Sequence, residues 1–370
     1  MSCTLTFVDH HRSPDIRITD EPNVTAPAVA TDSDLTDLIQ AECREPFDTI
    51  ITEEGLDSLM AATIIQIHQG GRGEHICIDA PLSEKAMRKM CKRGGRVLAL
   101  HSRFIYESSL DCFDEVTFLN PWEIGLTDYC VAELLYRAVG HDDAFLRDLT
   151  AFGIVGDYNV EDSMETMCEV IEAYPDIFQE LQAYRDEGAL DKFAVLRSPF
   201  KPLLKRLRAP VVIGGVKEAQ KMLAAVVNAP SFTYYDLMGE SDHPVKKYLD
   251  RQYHKFLKLI DDEKMRFEMN RRMVGKVLLF EPKHKSDNVV RELADSIKDD
   301  RPDWIVAVKV RHSRREIKYS LRRGTLEVDL GQICRHMGVG GGNPFAAGAV
   351  VDDDQEFEDN FITEVNQYIA

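Results

Sequence analysis

The sequence predicts an α/β protein: a doubly wound parallel sheet joined by helices to a smaller α/β domain. Three observations predict it. Between Phe47 and Val139, short β-branched runs alternate with apolar-periodic stretches through short connections, the pattern of a parallel sheet covered by crossover helices. The alternation returns between Lys276 and Met337, with a mostly helical stretch between the two regions. At 370 residues the chain has room for two hydrophobic cores. We divide it into an N-terminal strand and arm (1–46), a first α/β domain (47–175), a helical bridge (176–265) and a second α/β domain (266–370).

In chain order, Leu5-Thr6-Phe7-Val8 reads as a short strand followed by Asp9-His10-His11. The stretch 12–35, rich in Pro, Thr, Asp and Ala without periodicity, reads as a loop. Thr49–Thr52 is a strand and Leu56–His68 a helix; strand His75–Ile78, helix Ser83–Lys92 and strand Arg96–Leu100 follow. Strand Glu115–Leu119 leads through Asn120-Pro121-Trp122 to a helix over 128–139. In the bridge, Met164–Ala173 and Phe178–Tyr184 are helical. Arg197–Pro202 is a breaker before the short basic run Leu203–Arg208, and Glu218–Val227 is helical again. A long helix begins at Pro244 and runs to about Met273. The second domain reads as strand Lys276–Phe280, helix Val289–Ile297, strands Trp304–Val310 and Arg315–Leu321, and helix Gly331–Met337.

In open parallel sheets, ligands collect at the carboxyl ends of strands. The residues there are Glu53, Glu54 and Asp57, then Asp79, then His101, and Asp157 after the apolar run Gly153–Gly156. Carboxylates and an imidazole on one edge suit Mn²⁺ or Mg²⁺ ions that activate water and clamp a phosphate. Taken singly, an Asp after a strand is more often a helix cap or turn former. Asp9, His10 and His11 are a further set of ligand types.

Near the C-terminus stands Gly340-Gly341-Gly342-Asn343-Pro344-Phe345-Ala346-Ala347-Gly348. Three consecutive glycines reach positive φ cheaply, so their N–H groups can turn together toward an oxyanion. Twenty residues upstream lie Ser320, Arg322 and Arg323; a hydroxyl and two guanidiniums beside a glycine nest make a phosphate cradle. A tight turn is the plain alternative for the glycines alone.

Net charge is −18, which argues against non-specific duplex binding over the whole surface. Between Arg266 and Val350, however, 17 Lys and Arg stand against 11 Asp and Glu. Within that stretch Lys309, Arg311, Arg314, Arg315, Lys318, Arg322 and Arg323 face only Glu316 in the local sequence, which favours a polyanion site over a solvated strand face. The acidic run Asp352–Glu356 reads as a solvated turn before a final helix. Eight cysteines without a CxxC pair point to reduced thiols and a cytoplasmic protein. No apolar run approaches membrane-spanning length.

Ser320-Leu321-Arg322 with GGGNPFAAG resembles the substrate-binding domain attached to DHH phosphoesterases, the RecJ-like nucleases and oligonucleotide or cyclic-dinucleotide hydrolases. That family usually writes the glycine motif GGGHP, where this chain has Asn343. The resemblance assigns substrate binding to Ser320, Arg322, Arg323, Gly340, Gly341, Gly342, Asn343 and Pro344. Residues Ile51–Ala62 resemble the family's first metal motif, with Glu53 at its His position, Gly55 at its first Asp and Asp57 at its second. Asp79 falls on the second motif, His101-Ser102-Arg103 on the Asp-His-His of the third, and Asp157 on the fourth. Asn120–Gly125 resembles a segment that follows the third motif.

The resemblance implies Asp57, Asp79, His101 and Asp157 as ligands of Mn²⁺ or Mg²⁺, one ion or none given the substitutions, with Asp79 and Asp157 catalytic. Two functions follow. One is metal-dependent phosphodiester hydrolysis on single-stranded nucleic acid, short oligonucleotides or dinucleotides. The other is a catalytically silent relative that binds nucleic acid or a replication or repair complex. Neither involves a membrane.

Overall fold

The two alternations of strand and helix become two sheets. The computed structural model describes residues 4–7, 32–43, 49–52, 56–69, 75–78, 97–100, 116–119, 130–140, 142–157, 160–229, 231–313, 316–352 and 354–369. The chain divides into two compact units, Met1–Arg251 and Gln252–Ala370. The expected helix Ser83–Lys92, the segment Asn120–Gly125, and Asp9, His10, His11, Glu53, Glu54, Asp79, His101, Arg314 and Arg315 lie outside the described residues.

In the first unit, β1 (Thr4–Phe7), β2 (Thr49–Thr52), β3 (His75–Ile78), β4 (Val97–Leu100) and β5 (Val116–Leu119) form a sheet whose strands neighbour each other in chain order. Every pair is parallel, with Leu5, Ile50, Ile76, Leu98 and Thr117 in register across it. Parallel neighbours need crossovers of a dozen or more residues, and the spacing between these strands supplies them.

Helix α1 spans Asp32–Glu42 and α2 Leu56–Gln69. Leu59, Met60, Ala61, Ala62, Ile64 and Ile65 are all buried, so α2 is apolar on nearly every side and sits inside the unit. It packs on α3 (Val131–Val139) and α4 (Ala144–Gly156).

The run Gly153–Gly156, grouped with the strands in the sequence, is the end of helix α4. A short, wholly buried apolar run carries no periodicity that separates strand from helix. The deciding signal lies at the other end, where Asp143 caps the helix and accepts the N–H groups of Phe145 and Leu146 at 2.8 and 3.1 Å.

Helices α5 (Met164–Ala173), α6 (Gln179–Asp186) and α7 (Lys192–Arg197) follow. The expected breaker separates α7 from α8 (Phe200–Val227) at Ser198 and Pro199, but its last residues and the basic run belong to α8, which holds Pro202 in its first turn and bends at Gly215, φ +55°. A proline in the first turn loses no helical hydrogen bond, so Pro202 starts this helix and does not stop one. After α9 (Tyr234–Met238), α10 runs Pro244–Asn270. Its Val245 and Leu249 are buried in the first core, and Phe267 packs on Phe280 with ring centroids 5.6 Å apart.

The second unit is a six-stranded sheet in the order β10-β11-β9-β8-β7-β6. The strands are β6 (Arg272–Val274), β7 (Val277–Phe280), β8 (Ile305–Ser313), β9 (Glu316–Arg323), β10 (Gly340–Gly342) and β11 (Ala346–Val351). Only β7 and β8 pair in parallel, and α11 (Asp287–Asp300) makes their crossover. One sheet face packs Tyr319 and Leu321 with Ile333 of α12 (Leu330–His336) and Phe361 of α13 (Asp354–Ile369). The other face carries α11. Among the described residues no helix is long and apolar enough to cross a membrane.

Candidate functional site

Two of the acidic residues singled out in the first unit are described. Asp57, in the first turn of α2, is 3 % exposed. The backbone N–H groups of Val131 and Ala132 donate to its Oδ2 and Oδ1 at 3.1 and 2.9 Å. It thus acts as an N-terminal cap for α3 supplied from another helix, where a carboxylate satisfies orphan donors and complements the helix dipole. Asp157 is the C-cap of α4, and its N–H donates to Gly153 O at 3.0 Å.

Both carboxylates lie near Cys130. Burial pushes that thiol up, and the charges of Asp57, Glu133 and Asp157 push it further, so it is a packed thiol and not a nucleophile. Nearby, Asp148 accepts the Tyr174 hydroxyl, and burial raises its pKa despite that bond. Among the described residues no group of three His, Cys, Asp or Glu could hold a metal ion. With both Asp57 oxygens engaged by backbone, this donor set does not fit a metal centre by itself, since ligand carboxylates must turn their lone pairs to the ion.

In the second unit the basic cluster is largely neutralised. Lys309 Nζ donates to Asp354 at 2.7 Å and to Glu358 at 3.0 Å, and Arg311 donates to Asp354 at 2.8 Å. Lys318 pairs with Asp287 at 3.2 Å. Sequence neighbours showed only Glu316; the other acids arrive from α11 and α13, which pack on the two sheet faces. Within the acidic run, Asp352 is exposed ahead of the final helix, as expected of a solvated turn, whereas Asp354 is paired in the first turn of α13.

Three glycines expected as an outward nest form the edge strand β10, with Gly340, Gly341 and Gly342 opposite Ala349, Gly348 and Ala347. Their roles divide. A Cβ on Gly340 or Gly342 would fall against the carbonyl oxygen of Gly348 or Ala346, and Gly342 has φ +147°. These two are required by the hairpin itself. A Cβ on Gly341 or Gly348 would meet nothing nearer than 3.7 or 3.8 Å.

The hairpin tip is set by Asn343, whose Oδ1 accepts the N–H groups of Phe345 and Ala346, both at 2.9 Å. An Asn at this point therefore builds a turn. Leu330 N and Gly331 N, opening α12, donate to the carbonyls of Pro344 and Asn343 at 3.3 and 3.2 Å. Arg323 also serves the tip. Its Nε donates to Pro344 O at 2.8 Å, it donates to Leu326 O, and its guanidinium lies 4.2 Å from the Phe345 ring centroid.

Ser320 lies opposite Gly348, which lies opposite Gly341. Along β11 the outer residues Gly348 and Val350 are exposed, so α11 leaves this strand's face uncovered. At the border, Ser320 is 6 % exposed and its hydroxyl has no hydrogen-bond partner. Arg322, two residues on and on the same face, donates from Nε to Asp295 at 2.9 Å and from Nη1 to Leu321 O at 3.0 Å. The result is a flat floor of small residues edged by a buried hydroxyl and a held guanidinium, the chemistry that receives a phosphate.

Residues 273–370 match the model of the DHHA1 domain. No curated protein sequence matches the chain. Three solved structures are similar at 13 % identity. RecJ from Thermus thermophilus in complex with Mn²⁺ aligns over 95 % of this chain and 56 % of its own, TM-score 0.59. In complex with Mg²⁺ the figures are 94 %, 54 % and 0.56. An exonuclease RecJ bound to manganese gives 94 %, 96 % and 0.51. The fold is RecJ-like, and its residues 273–370 match the DHHA1 domain.

The chain spans about half the length of the Thermus protein. Within the DHHA1 domain, the structure places Ser320 and Arg322 on the face left open over β11, and Arg323, Asn343 and Pro344 in the tip beside it. Sequence reasoning did not single out Gly348 as a site residue, although small residues alternating along Ala346-Ala347-Gly348 are a readable sign of a bare strand face. It also missed Asp295, for which no local signal exists, because its partner Arg322 is 27 residues away.

Proposed function

We propose that this protein binds the phosphate of a single-stranded oligonucleotide or dinucleotide on the uncovered face of its DHHA1 sheet. The observation that carries the reading is the buried, unpartnered hydroxyl of Ser320 at the border of the glycine floor. An unmade bond there costs roughly 1–3 kcal/mol, a penalty that a phosphate oxygen accepting from Ser320 Oγ removes. Arg322 supplies the charge: Nε and Nη1 are engaged within the protein, and in this reading Nη2 donates to the phosphate. The bare surface at Gly348 admits the phosphate without a side chain in the way, and the Asn343 amide N–H groups offer further donors at the tip.

The test is binding of a short 5′-phosphorylated single-stranded oligonucleotide by anisotropy. Arg322→Gln is expected to weaken it about 10- to 100-fold, the scale of one charged hydrogen bond. Equal affinity for wild type and variant contradicts the site.

Phosphodiester hydrolysis is the second reading, supported by the likeness of the fold to RecJ structures solved with Mn²⁺ and Mg²⁺. Release of mononucleotide in Mn²⁺, abolished by Asp157→Asn while oligonucleotide binding persists, supports it. No product over many enzyme equivalents of substrate leaves the binding function alone.

A further inference from the structure

An arginine on a strand face has a long flexible stem, and its guanidinium loses rotamer entropy when fixed. How Arg322 is held therefore decides how well it receives a ligand. Its stem rises between Ala346 and Val306, its register partners on the two sides. Neither side chain bears a polar group, so neither can orient the head. Orientation comes from two bonds: Nε to Asp295 Oδ1 on α11 and Nη1 to the carbonyl of Leu321. Together they fix the guanidinium plane and leave Nη2 as the group to be satisfied. The Arg322 side chain is only 13 % exposed, so the pair sits partly out of water, where charge-assisted bonds gain weight.

Among the described residues Asp295 has one other cationic neighbour, Lys298 at 3.8 Å, which itself lies 3.0 Å from Asp299. The lysine thus has a closer carboxylate of its own, and Asp295 is left chiefly to Arg322.

We propose that Asp295 is a positioning residue for phosphate binding: it holds the Arg322 guanidinium with Nη2 presented to the ligand. This rests on the phosphate-binding reading given above. A simple electrostatic account makes the opposite prediction, which is what makes the idea testable. A carboxylate beside a cationic phosphate site repels the ligand and masks the cation. Removing its charge then raises the local potential and tightens binding. If positioning dominates, removing the charge weakens binding although the protein has become less negative.

The experiment is a double-mutant cycle on the full chain, read as the Kd of a short 5′-phosphorylated single-stranded oligonucleotide at fixed ionic strength. The proteins are wild type, Asp295→Asn, Arg322→Gln and the double variant, with thermal midpoints for each. Asp295→Asn is expected to bind about 3- to 10-fold more weakly than wild type, the range of coupling between contacting residues. In the Arg322→Gln background the same change should have no further effect. Asp295→Glu, which keeps the charge and can still reach Nε, should recover part of the loss; a merely structural acid would follow the thermal midpoint instead.

Tighter or unchanged binding by Asp295→Asn, with Arg322→Gln still weak, overturns the positioning role and leaves the site intact. An equal loss in both backgrounds, tracking stability, also overturns it. Unchanged binding by Arg322→Gln removes the phosphate site itself, an outcome distinct from the other two.

Discussion

The two units engage their charged residues alike and differ in what borders an open strand. In the first, both oxygens of Asp57, singled out for chemistry in the sequence, receive backbone N–H groups of α3, and Asp148, not singled out, accepts the Tyr174 hydroxyl. In the second, cations are paired just as thoroughly; buried hydroxyls without a partner occur in both units, at Ser58 and Ser163 in the first and Ser320 in the second, but that of Ser320 lies beside an exposed strand. A charged residue at an expected position is weak evidence of a site. A polar group left unsatisfied beside an open surface is stronger, because buried polar groups in native structures are rarely left without a partner.

That contrast can be broken, and the largest effect should come from the first unit. Asp57→Ala strands two backbone donors of α3 and removes a charge favourable to its dipole. Stability should fall by about 3 kcal/mol, measured by urea unfolding, with oligonucleotide affinity unchanged. Unchanged stability together with lost Mn²⁺ binding would instead return Asp57 to the role of ligand.

Within the second unit, the glycines sharpen the same distinction. Gly342→Ala places a Cβ at φ +147° against the Ala346 carbonyl and should cost about 2 kcal/mol. Gly348→Ala meets no neighbour nearer than 3.8 Å and should leave the thermal midpoint within a degree or two of wild type.

A smaller effect concerns Asp354. The hydrogen bond from Lys309, then its charge and Arg311, hold the Asp354 carboxyl below its ordinary value. A depressed folded pKa stabilises the protein above the unfolded pKa of about 3.9, and that contribution disappears as pH falls through the folded value. Asp354→Asn should therefore lose about 0.5–1 kcal/mol at pH 7. Its difference from wild type should close as the pH drops below about 4. A difference that grows toward acid has the wrong sign for this network.

Much of the architecture was legible. Alternating runs gave the parallel strands of the first unit to within a residue at each end, because parallel sheets are generally covered on both faces and so favour short β-branched segments. Where reading went astray, the reason was physical. Gly153–Gly156 is apolar on every side and has no period to read. Pro202 falls in a first turn, where the usual rule about prolines is suspended. For the site, Ser320, Arg322 and the glycines were visible as residue types. What could not be read was pairing at long range: Asp295, Asp354 and Glu358 reach the cations of β8 and β9 only through helix packing, and a linear sequence carries no sign of it.

The central claim is that phosphate rests on the bare face of β11. The most direct measurement compares the Kd of a 5′-phosphorylated oligonucleotide with that of its 5′-hydroxyl counterpart, for wild type and for Gly348→Val. The wild type should prefer the phosphorylated form at least about tenfold, the weight of roughly 1.4 kcal/mol. In Gly348→Val that preference should vanish while the thermal midpoint holds. A folded Gly348→Val protein that discriminates as well as wild type would place the phosphate elsewhere.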